Sequence, residues 1–292
     1  MSTIALPTRL LAADFARDRI ALLSFWLLAA LLFCALAAPW LAPQNPYDLA
    51  QLDILDAKLA PGVKSSAGST YWLGTDDQGR DMLSAILYGL RISLGVGITS
   101  TVLALALGVI SGMTAARAGG WIDGLIMRIV DLQLSFPAIL VALILLALTG
   151  QGIDRIILAL VVVQWAYYAR TVRAAALVEL KKEYVEAAVC MGVAGLRILL
   201  RHVLPNVLPP VMVVATVQIA QAIALEATLS FLGLGLPITE PSLGLLIANG
   251  YAHLLSGKYW ISFFPGLALL LTIVTINLVG DRLRDLLNPR LR

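Results

Sequence analysis

The sequence predicts an all-α integral membrane protein with six helical spans, and three observations carry that reading. The first is composition: of 292 residues, 60% are hydrophobic and only 13% are charged. A soluble domain carries about 25% charged residues and about 45–50% apolar ones, so water is not the main solvent of this chain. The second is distribution. The apolar residues fall in long blocks rather than at amphipathic spacing, and six blocks reach or approach the roughly 20 residues a helical span needs. Irregular backbone is not viable in lipid, so these blocks are expected as helices. The third is the alternation of basic residues in the connecting segments, 15 on one side against 6 on the other. The positive-inside rule places the richer side, with both termini, in the cytoplasm.

The first block, residues 20–41, follows Arg17 and Arg19 and contains Ala35-Leu36-Ala37, which also reads as a signal peptide with an A-x-A cleavage site. Its length exceeds the usual apolar run of about 7–15 residues in such a peptide, which favours a span. Residues 43–81 form a long external segment punctuated by Pro61-Gly62 and Ser65-Ser66-Ala67-Gly68-Ser69, a loop with short turns. Met82, Leu83, Ile86, Leu87 and Leu90 share a helical face, and Trp72 and Tyr88 suit an interfacial aromatic belt. Residues 81–91 are therefore expected either as an amphipathic surface helix or as an early start of the second span, residues 92–115.

The third block, 126–148, is expected to kink at Pro137 and carries Asp131 three residues after Arg128, the spacing of a structural ion pair. The fourth, 156–168, is short unless it borrows Ile153 and the residues through Thr171. The fifth, 207–232, begins at Pro209-Pro210 and holds a solitary Glu226; the sixth is 263–279. Ionisable residues in a membrane are costly and so are functional candidates. Glu226 either lines a path or faces a partner. Gln164, Gln218, Gln221 and Asn277 either line a wet path or bond between helices, the commoner use of such residues.

Residues 170–206 are the most informative segment. Glu179, Glu183 and Glu186 are spaced to share one helical face, and Tyr184, Ala188 and Met191 form an apolar stripe on another. Gly192 and Gly195 bracket a turn, a second short helix follows, and Leu204-Pro205 is expected to end it. Small side chains at Ala187, Ala188 and Gly192 leave a thin helix able to enter a groove on a partner. The plainer alternative is a solvated connector, since charged faces are usually just solvated.

No lysine stands in the Gly-x4-Gly-Lys-Ser/Thr frame of a phosphate-binding loop, and there is no G-x-S-x-G or H-E-x-x-H. Cys34 and Cys190 suggest no disulfide framework, and two histidines with no Cys/His cluster give no zinc site. A polytopic membrane enzyme using Asp131 or Glu226, with His253, is the rival class. The two acids fall at opposite depths and make a poor dyad.

Glu186-Ala187-Ala188, three residues, Gly192, nine residues, His202, one residue, Leu204-Pro205 resembles the EAA loop, EAA-x3-G-x9-I-x-L-P, of importer-type ABC permeases; His202 departs from the isoleucine. Residues 72–81, 88–94, 127–131, 230–235 and 280–285 are similar to the C-type permease subunit of dipeptide, oligopeptide and nickel importers. The resemblance implies a six-helix type I importer transmembrane domain in a bacterial inner membrane. Residues 1–91 would hold the first span and external segment, 92–285 the transmembrane domain with its coupling loop at about 179–206, and 286–292 a tail. It further implies a second permease, two cytoplasmic ATPase subunits and an extracytoplasmic solute-binding protein. ATP and Mg would sit on the ATPases, and this chain would bind no cofactor. Glu183, Glu186, Ala187, Ala188, Gly192, His202, Leu204 and Pro205 would form the ATPase-coupling element. Dipeptides or short oligopeptides are the expected cargo, with nickel chelates, glutathione-like peptides and opines open.

Overall fold

The computed structural model describes residues 18–48, 52–65, 68 and 70–287. Arg9, Arg17, part of the serine-rich external stretch and the tail from residue 288 lie outside them. Helix α1, Arg19–Leu36, starts where the Asp18 carboxylate accepts the free backbone N–H groups of Ile20 and Ala21 at 3.0 and 3.3 Å. A short α2, Ala38–Leu41, ends the first apolar block. The segment that follows is loop with one 3₁₀ turn, Ile54–Asp56, and isolated bridges such as Lys64 with Thr70.

Helix α3, Met82–Ala118, is 37 residues long, and Asp81 caps it by accepting from the Ser84 N–H at 2.8 Å. At 1.5 Å per residue it spans about 55 Å, more than the hydrocarbon layer of about 30 Å. Its first turns are not a surface helix. Met82, Ala85, Ile86 and Leu90 are buried in one cluster with Leu243, Leu246 and Ile261. Tyr88 likewise is no belt residue: it is buried, with Tyr47 edge-on at 5.3 Å, whereas Trp72 is 70% exposed.

The third block is broken rather than kinked. Helices α4, Gly120–Ser135, and α5, Ala138–Thr149, meet at 92°. Pro137 lacks the N–H that would bridge the break, and a residue before proline is driven to extended backbone, as Phe136 is at φ −94° and ψ 142°. Helix α6, Ile153–Glu179, extends well past the expected end of the fourth block.

A close crossing joins α3 and α6. A Cβ on Gly108 would stand 2.3 Å from the Tyr168 Cβ, and one on Gly112 would stand 2.6 Å from the Ala169 carbonyl oxygen. Helix–helix association in lipid rests on such close packing of small residues.

Helix α7, Glu183–Cys190, and α8, Gly195–Ile198, follow, and a π-helical turn, Leu199–Val203, runs directly into α9, Leu204–Phe231. Leu204-Pro205 therefore does not end a helix. The wider turn lets the chain pass prolines that cannot donate, and Pro209 and Pro210 are carried inside α9. Helices α10, Leu243–Tyr251, and α11, Trp260–Leu287, complete the bundle.

Counting the α4–α5 pair as one broken span, the described residues hold six elements long and apolar enough to cross a membrane. At the loop-rich end, Trp260 Nε1 donates to the Thr75 carbonyl at 3.2 Å and Arg80 Nη1 to the Ile238 carbonyl at 3.2 Å. Arg80 also pairs with buried Asp76 at 2.6 Å. Burial pushes the Asp76 carboxyl up in pKa while Arg80 pulls it down, so this pair fixes geometry more than it adds stability. At the opposite end Arg282 approaches Asp18 at 3.9 Å, so the first and last described helices begin and finish on the same side.

Candidate functional site

At that opposite end, α7 and α8 form a hairpin at the ends of the long helices, α8 being continuous through the π turn with α9. Glu183 and Glu186 lie in the first turn of α7, where the exposed N–H groups favour acidic side chains. Its C-terminus closes through Val193 N–H to the Ala188 carbonyl at 3.1 Å and Gly192 N–H to the Val189 carbonyl at 2.9 Å. That pairing needs a left-handed residue, and Gly192 supplies it at φ +72°.

The hairpin has one seated face and one open face. Val185 and Ala188 are buried in a cluster with Met113 and Ala116 of α3, Val172 and Ala176 of α6, and Val203 and Val207 around the start of α9. Val189, Met191 and Leu196 are 60%, 75% and 56% exposed, beside exposed Glu183, Glu186, Ala187 and Gly192. The expected apolar stripe is thus corrected: Ala188 is buried, but Met191 and much of Tyr184 face outwards. The expected row of three glutamates is corrected too. Glu179 ends α6, and a turn at residues 180–182 separates it from Glu183 and Glu186. Leu204 and His202 are half-buried and Pro205 exposed, in the π turn and first residues of α9 rather than on the hairpin.

A polar cluster that the sequence reading missed holds this hairpin. The Tyr184 hydroxyl donates to Glu179 Oε1 at 2.5 Å, and Lys182 pairs with Glu179 Oε2 at 2.6 Å. Asn206 Nδ2 donates to the His202 carbonyl at 2.7 Å and to the Tyr184 hydroxyl at 3.2 Å. Burial first, then the Glu179 carboxylate, pushes the Tyr184 pKa up to about 12. Its sequence trace is faint: a tyrosine five residues after a glutamate, across a helix break.

Gln164, Gln218 and Gln221 come together. With Tyr167, Ala224 and Thr228 they line an open groove of about 420 Å³ between α6 and α9, floored by Ala138 and Ile139 of α5. Gln164 also bonds between helices, donating to the Gln218 carbonyl at 3.0 Å and accepting from Thr101 at 3.4 Å. Glu226 lies outside the groove and is fully buried. It accepts from Ser93 of α3 and Ser230 of α9, each at 2.8 Å, so it ties helices of this chain rather than facing a partner. Asn277 is half-buried on α11, apart from the groove.

The Arg128–Asp131 pair is a further correction. Asp131 pairs instead with Arg170 of α6, and Asp123 with Arg173 at 2.5 Å. Both bridges fasten α4 to α6, a tertiary role that outranks the local i, i+3 contact. Asp131 and Glu226 therefore sit in unrelated environments and do not form a dyad.

The comparisons fit this arrangement. The family of binding-protein-dependent transport system inner membrane components matches residues 104–292, and the N-terminal TM domain of oligopeptide transport permease C matches residues 7–61. The chain is 36% identical to the di/tripeptide transport system permease protein DppC of Pseudomonas aeruginosa, over 96% of this chain and 91% of that one. It is 40% identical to the dipeptide transport system permease protein DppC of Escherichia coli strain K12, over 95% and 91%. A solved structure of the MetNI methionine ABC transporter aligns with 71% of this chain and 98% of that one, at a TM-score of 0.58 and 21% identity, a likeness of fold. The chain belongs to the binding-protein-dependent transport system inner membrane components, the permease subunits of ABC importers.

Proposed function

We propose that this chain is half of the translocation path for dipeptides or short oligopeptides and hydrolyses no ATP itself. The observation that carries the reading is the α7–α8 hairpin. It lies at the ends of the long helices, its seated face is continuous with the cores of α3, α6 and α9, and its open face presents Val189, Met191 and Leu196. Exposed apolar side chains outside lipid mark a surface for a partner. We assign that partner as an ATPase subunit, with ATP and Mg bound there, and the hairpin as the coupling helix. Glu183, Glu186, Ala187 and Gly192 face that partner, Ala188 seats the hairpin, and His202, Leu204 and Pro205 lie in the turn that leads from it into α9.

A second permease would complete the path across the groove of Gln164, Gln218 and Gln221, and a second ATPase and a solute-binding protein would complete the importer. The charge alternation supports both termini and the hairpin lying in the cytoplasm, with residues 1–91, 92–285 and 286–292 as the three regions. Peptide cargo is supported by the names of the relatives above.

The test is reconstitution. The purified chain should show no ATPase activity; adding both ATPases, the second permease and the binding protein should give ATP hydrolysis stimulated by dipeptide. Sustained hydrolysis by this chain alone, free of contaminants, defeats the reading.

A further inference from the structure

The seat of the coupling hairpin contains both apolar and polar contacts, and the two do different work. Val185 and Ala188 bury against α3, α6 and α9 together, and apolar burial is non-directional. It keeps α7 in place but sets no fixed lever arm. The polar contacts are directional. The Tyr184 hydroxyl donates a hydrogen bond to Glu179, the last residue of α6, and accepts one from Asn206, in the first turn of α9. These are the two helices whose opposite halves line the glutamine groove. A single oxygen on α7 thus touches both.

We propose that Tyr184 and Glu179 are positioning residues that clamp the coupling helix to α6 and α9, so that its displacement reaches the groove; this rests on the coupling role proposed above. Glu179 is suited to the task because its side chain is 8% exposed and takes two donors, Tyr184 at 2.5 Å and Lys182 at 2.6 Å. Asn206 extends the clamp by holding the His202 carbonyl in the π turn. That turn is where the i→i−4 ladder is interrupted, and the bond ties it to the first turn of α9. With its pKa at about 12, the Tyr184 hydroxyl keeps its donor proton throughout the physiological range.

The experiment uses the assembled importer with Tyr184→Phe, which removes one oxygen and leaves the ring. Three quantities are read: ATPase subunits retained by pull-down, dipeptide imported per ATP hydrolysed, and the spread of distances from a spin label on exposed Cys190 to a second label on α6, in a Cys34→Ser background. Pull-down is expected within about 2-fold of the parent. Import per ATP should fall about 10-fold, the size of one lost hydrogen bond to a charged group, and the distance distribution should broaden. Glu179→Ala, which also frees Lys182, should lower import per ATP at least as far as Tyr184→Phe. The double variant should be no worse than Glu179→Ala, because the Tyr184–Glu179 bond is already gone in it. Glu179→Gln keeps an acceptor oxygen and should stay near the parent. Parent stoichiometry in Tyr184→Phe overturns the clamp while leaving the coupling role intact. Failure of the coupling role shows differently: the unmodified chain itself would retain no ATPase.

Discussion

Gly108 and Gly192 are the same residue kept for opposite reasons, and the contrast separates the part of this molecule that is finished from the part that is not. Gly108 lies in the α3–α6 crossing, where the position of its missing Cβ is already occupied by Tyr168 and the Ala169 backbone. Gly192 lies in the hairpin turn, where an added Cβ would meet nothing within 4 Å and only the backbone angle, φ +72°, demands glycine. The crossing is complementary to itself. The hairpin has open space on the side where Met191 and Leu196 are exposed, the side proposed above for the ATPase partner.

The largest effect that would sharpen this contrast is at Gly108. Gly108→Leu forces the backbones of α3 and α6 apart, because the obstructing atoms are 2.3 and 2.9 Å away and include main chain. Overpacking costs about 1–3 kcal/mol where neighbours can yield, and here they cannot. The variant should fail to accumulate in membranes, or survive in detergent only with a strongly lowered Tm. Wild-type abundance and Tm would mean that the crossing is looser than its geometry.

The next effect is functional rather than structural. Gly192→Trp imposes a left-handed angle on a residue with a Cβ, a local strain of about 1–2 kcal/mol, and projects an indole into the open side. Membrane insertion should stay near normal, while ATPase recruitment and dipeptide uptake should both be lost. Unchanged binding and uptake would make the hairpin a mere connector and erase the distinction between the two glycines.

How much of this was legible in the sequence follows the same division. The spans were legible because burial in lipid demands long apolar blocks, a property of composition that needs no partner. The hairpin was legible because its turn glycine and flanking helices are local. Contacts between distant segments were not. Asp131 reads as a partner of Arg128 three residues away, yet Arg170, from another helix, takes it. Glu179 reads as continuous with Glu183 and Glu186, yet the break at residues 180–182 turns it back onto Tyr184. Pro137 announced a disturbance, but its 92° size depends on extended Phe136 as well. One signal was present and overlooked: Gly108 and Gly112 stand four apart in an apolar block, the spacing of close helix crossings in membranes.

The smallest expected effect tests whether the open face works by shape or by charge. Glu186 is the first letter of the motif that singled out this loop, so a charge-based interface would place it first. Its position argues otherwise. Glu186 is exposed in the first turn of α7, where it gains modestly from the helix N-terminus, and no salt bridge within the described residues holds it. A partly solvated charge contact to a partner is worth about 1 kcal/mol or less, which is at most about 5-fold in a binding constant. Met191 and Leu196, by contrast, offer apolar surface that only a partner can bury. Glu186→Ala should therefore weaken ATPase pull-down no more than about 5-fold, with the loss shrinking at high salt, while Met191→Asp at the same surface should weaken it more and keep its effect at high salt. If Glu186→Ala abolishes recruitment and Met191→Asp does not, the hairpin is recognised by its charge, and the open apolar face has been given the wrong role.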